Sequence, residues 1–187
     1  MGRLVFTAIC SLDGYVVDAD GSFDWAAPDA EVHAHVNDGA ASIGTYLLGR
    51  RMWEVLRYWD GHDEDDREPV TRDYRRLWQG ADKVVYSTTV DGQSHTAPRT
   101  RFEATFDVGA VRRLLDESPA DVSVGGPTLA ARAFAAGLVD EVGLYRHPVC
   151  VGGGTAALPA GQRLDLELAE VRTFSSGVVF TRHWVRH

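Results

Sequence analysis

The feature that most constrains the fold is the stretch Asp121–Leu129, where a short apolar run meets two glycines and then a helical pattern. The run at 122–124 is typical of a buried strand, and an alanine-rich helical periodicity starts at Thr128. The adjacent glycines, Gly125 and Gly126, let the backbone approach a ligand because no Cβ stands in the way. The helix would direct unpaired N–H groups and its positive dipole end at that ligand. This pattern favours an anion site, although an ordinary strand-to-helix turn explains a lone Gly-Gly equally well.

Length and charge exclude several classes of protein. A chain of 187 residues is about the size of one domain, and we expect a single domain over residues 1–187. The net charge of −8 argues against a nucleic-acid partner, which would require a basic face. No segment approaches the roughly 20 apolar residues that cross a bilayer, and no signal-peptide pattern opens the chain. These features predict a cytoplasmic protein without membrane or nucleic-acid partners.

Metal and thiol chemistry find little support in the residue pattern. Cys10 and Cys150 each lie in an apolar, strand-like run, which predicts two buried free thiols. His33 and His35 are two residues apart and would point to different sides of a helix. His62 stands in an acidic stretch that is better explained as a solvated loop than as a cation site. We expect no metal.

Strand-like and helix-like segments alternate along the chain. Strands are predicted at 4–10, 45–49, 83–88, 101–106, 121–124 and within 139–151, and helices at 28–38, 50–58, 71–80, 110–117 and 128–136. Pro28 suits a first helical turn, and Gly137 suits a helix end. The segments 164–173 and 178–185 are predicted to pair as an antiparallel hairpin. The expected fold is α/β, with a mostly parallel central sheet, an antiparallel C-terminal edge hairpin and helices on both faces.

Glycine-bearing or hydroxyl-bearing turns follow several of the predicted strands. In open α/β sheets, ligands bind beyond the carboxyl ends of the strands. The turns in question are Gly49-Arg50-Arg51, Ser87-Thr88, Gly125-Gly126 and Gly152-Gly153-Gly154. An arginine beside a hydroxyl would recognise a 2′-phosphate and so favour NADPH over NADH, although the two arginines also fit a solvated surface. The GxGxxG fingerprint is absent, so a standard Rossmann site is not expected.

Six motifs in order resemble the dihydrofolate reductase-like superfamily, and most closely the C-terminal domain of bacterial riboflavin-biosynthesis reductases. They are Ser11-Leu12-Asp13-Gly14-Tyr15, the segment 47–54, Val84-Val85-Tyr86-Ser87-Thr88-Thr89, the segment 124–129, Gly137-Leu138-Val139-Asp140-Glu141 and the segment 148–154. The resemblance implies the three-layer dihydrofolate reductase-like fold. It also implies an NADPH-dependent reductase, and the riboflavin-type relatives are commonly dimeric, so a homodimer is expected.

The resemblance assigns residues to the cofactor. The adenosine phosphates would be held by Gly49, Arg50, Arg51, Ser87 and Thr88. The pyrophosphate would lie on Gly125, Gly126, Pro127, Thr128 and Leu129, and the two glycines are joined by a cis peptide in dihydrofolate reductases. The nicotinamide pocket would be lined by Ala8 and Ile9 and closed by the loop carrying Asp13 and Gly14.

One departure leaves the substrate open. Dihydrofolate reductases often carry Trp-x-x-Pro-x-acid, and the segment Trp25–Ala30 keeps this spacing but ends in alanine. The flanking acids Asp29 and Glu31 are secondary catalytic candidates after Asp13, although an Asp-Gly pair is also common in plain turns. The expected substrate is a small planar heterocycle that is pterin-, pyrimidine- or flavin-like. A non-catalytic NADPH- or ligand-binding protein is the alternative, and a purely structural dimer ranks last.

Overall fold

A computed structural model describes residues 1–61, 68–90 and 97–187, so most of the predicted acidic loop, including His62, lies outside the described residues. The strands are β1 (Leu4–Ser11), β2 (Tyr15–Val17), β3 (Ile43–Gly49), β4 (Asp82–Tyr86), β5 (Thr100–Glu103), β6 (Asp121–Gly125), β7 (Glu141–His147), β8 (Thr155–Ala156), β9 (Leu166–Thr173) and β10 (Val179–Val185). The helices are α1 (Ala30–Ala40), α2 (Arg50–Leu56), α3 (Pro69–Gly80), α4 (Val108–Glu117) and α5 (Pro127–Ala135), with short 3₁₀ turns at Asp24–Ala26 and Arg57–Asp60.

Within the described residues, the central sheet has eight strands in the order β5-β4-β3-β6-β1-β7-β10-β9. The six strands from β5 to β7 are mutually parallel, whereas β10 runs antiparallel to β7 and β9 runs antiparallel to β10. The predicted mostly parallel sheet with an antiparallel edge hairpin is confirmed. A separate two-stranded ribbon, β2 with β8, was not predicted, because two or three residues are too few to show a periodic pattern.

Helices pack on both faces of the sheet, as predicted. On one face, α4 and α5 cover a core in which Phe134 meets Phe6 edge to face, with ring centroids 5.5 Å apart. On the other face, Val32 of α1 packs near Phe180, and Trp78 of α3 packs on strand β3. Burial of such large apolar side chains supplies most of the driving force for folding.

Two local predictions need correction. Pro28 does not lie in the first turn of α1, because the helix starts at Ala30 and Asp29 caps it by accepting a hydrogen bond from the Val32 N–H at 2.9 Å. Cys10 is buried, but Cys150 is exposed, because β7 ends at His147 and Cys150 belongs to the following loop. Gly137 does follow α5 with a φ of +60°, as expected at a helix end.

The end of α3 depends on a buried lysine. The Lys83 ammonium group donates hydrogen bonds to the carbonyl oxygens of Trp78 and Ala81, both at 3.1 Å. Its Nζ also lies 5.0 Å from the centroid of a Trp78 ring. The Trp78 carbonyl also accepts a hydrogen bond from the Ala81 N–H at 3.3 Å, and Ala81 itself follows α3, so the lysine reinforces the end of the helix. Among the described residues, no helix is long and apolar enough to span a bilayer.

Replacing Lys83 by methionine is expected to lower the free energy of unfolding by about 1–3 kcal/mol, because the carbonyl groups of Trp78 and Ala81 both lose the ammonium group as a donor. Urea denaturation measures this change. Arg76→Met, on an exposed part of the same helix, is the control and should change stability by less than about 0.5 kcal/mol. Equal stability of the Lys83 variant and the parent protein would contradict the role of Lys83 in stabilising the end of α3.

Candidate functional site

The carboxyl ends of the parallel strands meet at one edge of the sheet. We call this edge the rim, and it comprises residues 49–51, 87–88 and 125–129 together with the segments that follow β1 and β7. In the sheet register, Leu48 of β3 lies opposite Gly125 of β6, and Gly49 lies opposite Tyr86 of β4. The four turns singled out in the sequence all follow strands of this parallel set. The structure therefore brings them to the same edge.

Strands β1 and β6 separate toward their carboxyl ends, which leaves the sheet open beside the rim. Only Leu4 and Val5 of β1 pair with β6, whereas β1 pairs with β7 from Val5 through Ser11. Thr7 is exposed although it lies in the middle of a central strand, and Ala8 and Ile9 are half-buried. The sheet thus has an opening of the kind in which α/β proteins bind ligands.

The two glycines at the end of β6 serve different purposes. A Cβ on Gly125 would lie 2.7 Å from Leu48 Cδ2 and 3.3 Å from Met52 Cγ, so this glycine permits close packing. Gly126 has a φ of +88° immediately before α5, a conformation that favours glycine. The peptide that joins them is trans, so the cis peptide expected from the resemblance is wrong.

The first turn of α5 presents N–H groups to the rim. Helix geometry leaves the N–H groups of Thr128 and Leu129 without intrahelical acceptors. The Thr128 side chain is exposed, whereas the Leu129 side chain is buried in the core. Pro127 occupies the first helical position and has no N–H. Of the predicted pyrophosphate contacts, Leu129 offers its backbone alone and Pro127 offers no donor.

The Gly-Arg turn begins α2. Gly49 is extended and precedes the helix, so it places both arginines in the first turn. The Arg50 guanidinium pairs with the Glu54 carboxylate one turn along, at 2.7 Å. Arg51 is exposed. Because the charge of Arg50 is already balanced, Arg51 is the better candidate for an incoming phosphate.

Ser87 organises the turn after β4. Its hydroxyl oxygen accepts hydrogen bonds from the N–H groups of Thr89 at 3.1 Å and Val90 at 3.0 Å. This arrangement is a serine turn that holds the backbone. Thr88 is exposed, so its hydroxyl is the more accessible of the predicted pair.

Asp13 joins two loops at the rim. Its carboxylate accepts hydrogen bonds from the N–H groups of Val151 at 3.2 Å and Gly152 at 2.8 Å. A hydrogen bond from Ser11 is the largest influence that lowers the pKa of Asp13, and these two N–H groups add to it. The next residue, Gly14, has a φ of +89° and turns the chain into β2. Asp13 is thus an ionised clasp between the loop after β1 and the loop after β7.

The other two predicted catalytic acids tie α1 to the β9–β10 turn. Asp29 caps α1, and the N–H of Val32 and the hydroxyl of Ser176 lower the pKa of Asp29. Glu31 accepts hydrogen bonds from the N–H and the hydroxyl of Ser175, at 3.1 and 3.0 Å. Ala30 lies between them and is exposed. All three acids are thus engaged in holding chain segments, and a catalytic role for any of them stays a prediction.

A cavity of about 240 Å³ lies beside the rim, between the start of α1, the end of β7 and the β9–β10 turn. It is lined by Trp25, Ala27, Asp29, His147, Pro148, Val149, Ser176 and Val178. His147 is only 7% exposed and lies in register with Ser11 of β1. Burial lowers the pKa of His147, against the opposing charge of Asp29. Sequence reasoning missed His147, because a lone histidine at a strand end carries no distinctive spacing.

Within the described ranges, no three His, Cys, Asp or Glu side chains gather as a metal site. The geometry instead combines backbone N–H donors, an exposed arginine and an opening in the sheet. Such a set suits an extended anionic ligand with a flat end group.

Comparisons with known proteins agree with this arrangement. The profile of the family described as RibD C-terminal domain matches residues 3–180. Among curated proteins, the chain is 29% identical to "Uncharacterized protein YyaP" of Bacillus subtilis, over 97% of this chain and 95% of that protein.

Two solved structures share the fold. A putative riboflavin biosynthesis protein from Shewanella superposes with a TM-score of 0.73 at 17% identity, over 100% of both chains. A pyrimidine reductase-like protein from Corynebacterium diphtheriae superposes with a TM-score of 0.69 at 13% identity, over 100% of this chain and 92% of that chain.

Replacing Asp13 by alanine is expected to release the loop after β7, because the Val151 and Gly152 N–H groups lose their acceptor. Hydrogen exchange should show faster exchange at these two amides, whereas Asp20→Ala, an exposed acid in the neighbouring loop, should leave them unchanged. Because the folded-state pKa of Asp13 is lowered, the clasp should persist in mild acid and be lost as the pH falls through that pKa. Unchanged exchange in the Asp13 variant would contradict the clasp.

Proposed function

The chain belongs to the RibD C-terminal domain family, and from this premise we propose that it is an NADPH-dependent reductase of a small planar heterocycle. One observation carries the proposal: the Gly126 turn and the start of α5 lie at the rim, next to the opening between β1 and β6. Among pterin-, pyrimidine- and flavin-like rings, a pyrimidine is favoured, because the similar protein from Corynebacterium diphtheriae is pyrimidine reductase-like.

The rim residues fit the phosphates of NADPH. Gly126 and the N–H groups of Thr128 and Leu129 would hold the pyrophosphate, because a helix start attracts anions. Gly49 would allow close approach of the adenosine half. The exposed guanidinium of Arg51 would pair with the 2′-phosphate, supported by the hydroxyl of Thr88. Arg50 and Ser87 would shape these turns rather than carry the main contact.

The opening between β1 and β6 would receive the nicotinamide. Ala8 and Ile9 would line it, and the loop with Gly14 would cover it, held by the Asp13 clasp. When bound, NADPH supplies a hydride. A C=N or C=O bond of the substrate would be reduced by two electrons, with the hydride on carbon, a proton on nitrogen or oxygen, and NADP⁺ as the oxidised cofactor. The protein's part is to orient the two rings.

In this proposal Asp29 and Glu31 position α1 against the β9–β10 turn, and the proton comes from solvent. The alternative function is an NADPH-binding protein without turnover, which Ala30 motivates because no acid stands at the pterin-binding position. Oxidation of NADPH by any heterocycle would exclude that alternative. The decrease in the ultraviolet absorbance of NADPH measures this oxidation. Binding of NADPH without oxidation by any pterin, pyrimidine or flavin would favour it.

Replacing Gly126 by alanine is expected to weaken NADPH binding by at least about tenfold, because the left-handed backbone of the turn becomes strained by about 1–3 kcal/mol. Calorimetric titration measures the affinity. Gly161→Ala is the matched control: Gly161 also has a positive φ, of +73°, with open space around it, but lies in the loop before β9. The Gly161 variant should lose about as much stability as the Gly126 variant, but it should bind NADPH with the affinity of the parent protein.

The same titration tests the choice of cofactor. The parent protein should bind NADPH more tightly than NADH, and Arg51→Ala should reduce this preference by about tenfold. An absence of heat with NADPH would contradict the reductase proposal. Equal losses of NADPH affinity in the Gly126 and Gly161 variants would instead show that the Gly126 turn does not contact the cofactor.

We also propose a homodimer, formed through an uncovered part of the sheet. Leu168 and Val171 of the edge strand β9 are 58% and 55% exposed. They lie opposite His183 and Thr181, which are two residues apart on β10, so both side chains share one face of the sheet. Exposed apolar residues on an edge strand mark an association surface.

The exposed free thiol of Cys150 fits a reducing compartment, and we propose the cytoplasm.

Replacing both Leu168 and Val171 by aspartate is expected to convert the dimer to a monomer, because charges would be buried in the interface. Light scattering after size-exclusion chromatography measures the mass. Val55→Asp, at an exposed apolar residue of α2, is the control and should leave the mass unchanged. A monomeric parent protein, or a double variant that stays dimeric, would contradict this interface.

A further inference from the structure

Thr7 is an exposed polar residue in the middle of the central strand β1. A strand of a parallel sheet that has helices on both faces is normally apolar on both sides. Phe6 and Ala8, the neighbours of Thr7 along the chain, belong to the core that α4 and α5 cover. The Thr7 side chain therefore lies on the opposite face, which packs against α1 and α3. At Thr7 neither helix covers this face.

Two glycines flank Thr7 across the sheet. Gly143 of β7 lies in register with Thr7. On the other side, Val5 lies opposite Ser123 of β6, so Thr7 is level with Gly125, which is two residues further along β6. Because neither glycine has a side chain, Thr7 forms the floor of a depression. Its width is about two strand spacings, or about 10 Å, which is enough for a flat ring.

Apolar side chains border this depression on the same face of the sheet. A Cβ on Gly143 would lie 3.1 Å from Thr7 Oγ1 and 3.2 Å from Phe180 Cε2. A Cβ on Gly125 would lie 2.7 Å from Leu48 Cδ2. The Phe180 ring and the Leu48 side chain thus stand on the two sides of Thr7. One hydroxyl between apolar walls is the usual composition of a site for a small ring.

The depression and α5 lie on opposite faces of the sheet. Helix α5 packs over Phe6 through Phe134, and the Gly126 turn at its start follows directly after Gly125. A cofactor held by the start of α5 would therefore reach the opening between β1 and β6 from one face. A ligand above Thr7 would reach the same opening from the other face, so the two rings could meet there for hydride transfer.

We propose that Thr7 is a specificity-determining residue, whose hydroxyl binds the edge of a substrate ring that carries an N–H group beside a C=O group. A hydroxyl can accept a hydrogen bond from the N–H and donate one to the C=O. Because the hydroxyl is uncharged, it suits a neutral ring edge of this kind, as in uracil. This inference rests on the proposed reductase function and narrows its substrate to rings with such an edge.

The test is calorimetric titration of the full chain, saturated with NADP⁺ so that no turnover occurs, with uracil and with 1,3-dimethyluracil. The second probe has the same ring, but methyl groups replace both N–H hydrogens. We expect uracil to bind at least about tenfold more tightly than dimethyluracil. Thr7→Val keeps the shape of the side chain and removes the hydroxyl. It should weaken uracil binding by about three- to tenfold and leave the affinities for dimethyluracil and NADPH unchanged.

Two further variants serve as controls. Thr7→Ser keeps the hydroxyl and should bind uracil within about twofold of the parent protein. Thr173→Val makes the same substitution at an exposed threonine of the edge strand β9 and should also leave uracil binding unchanged. Nuclear magnetic resonance of labelled threonine methyl groups gives a second readout: the Thr7 signal should shift on addition of uracil, and the Thr173 signal should not.

Several outcomes would overturn the inference. They are no saturable binding of uracil with or without NADP⁺, equal affinities for uracil and dimethyluracil, and a Thr7→Val variant that binds uracil like the parent protein. Weaker NADPH binding in the same variant would also overturn it, because Thr7 would then contact the cofactor. In each case the parent protein can still bind NADPH, so the reductase proposal stands. A parent protein that does not bind NADPH contradicts the reductase proposal instead, whatever its affinity for uracil.

Discussion

The unequal pairing of β1 with its two neighbours is the constraint on which the site depends. β1 pairs with β7 over seven residues, from Val5 to Ser11, but with β6 only at Leu4 and Val5. The carboxyl half of β1 therefore leaves β6 and opens the sheet where the Gly126 turn begins α5. Without this separation, the rim would have helix starts but no adjoining space for a flat ring.

Carboxylates hold the segments around this opening. Asp13 joins the loop after β1 to the loop after β7, while Asp29 and Glu31 join α1 to the β9–β10 turn. A carboxylate that accepts hydrogen bonds from backbone N–H groups is stabilised in its ionised form, which makes it a poor proton donor near neutral pH. These three acids thus order chain segments at the ends of the strands.

The fold could be predicted largely from the sequence, because strand and helix periods and the glycine at 137 are local signals. The Gly125-Gly126 turn and the rim arginines were also visible, since each follows a strand. The exposure of Cys150 depends on where β7 ends, and Arg50 pairs with Glu54 one turn along the same helix rather than with a ligand. Other features, such as the β2–β8 ribbon, depend on contacts between distant segments. His147 was missed for the same reason, because its importance comes from Trp25 and Asp29, over a hundred residues away along the chain.

The central claim is that one edge of the sheet holds a dinucleotide through the start of α5 and the opening beside β1. Amide chemical-shift changes during titration of isotope-labelled protein with NADPH test it most directly. We expect the largest changes at Gly126, Thr128 and Leu129, together with Ala8 and Ile9, and only small changes at the opposite end of the sheet near Gly137. Changes confined to that opposite end, or no changes at Gly126 under saturating NADPH, would contradict it.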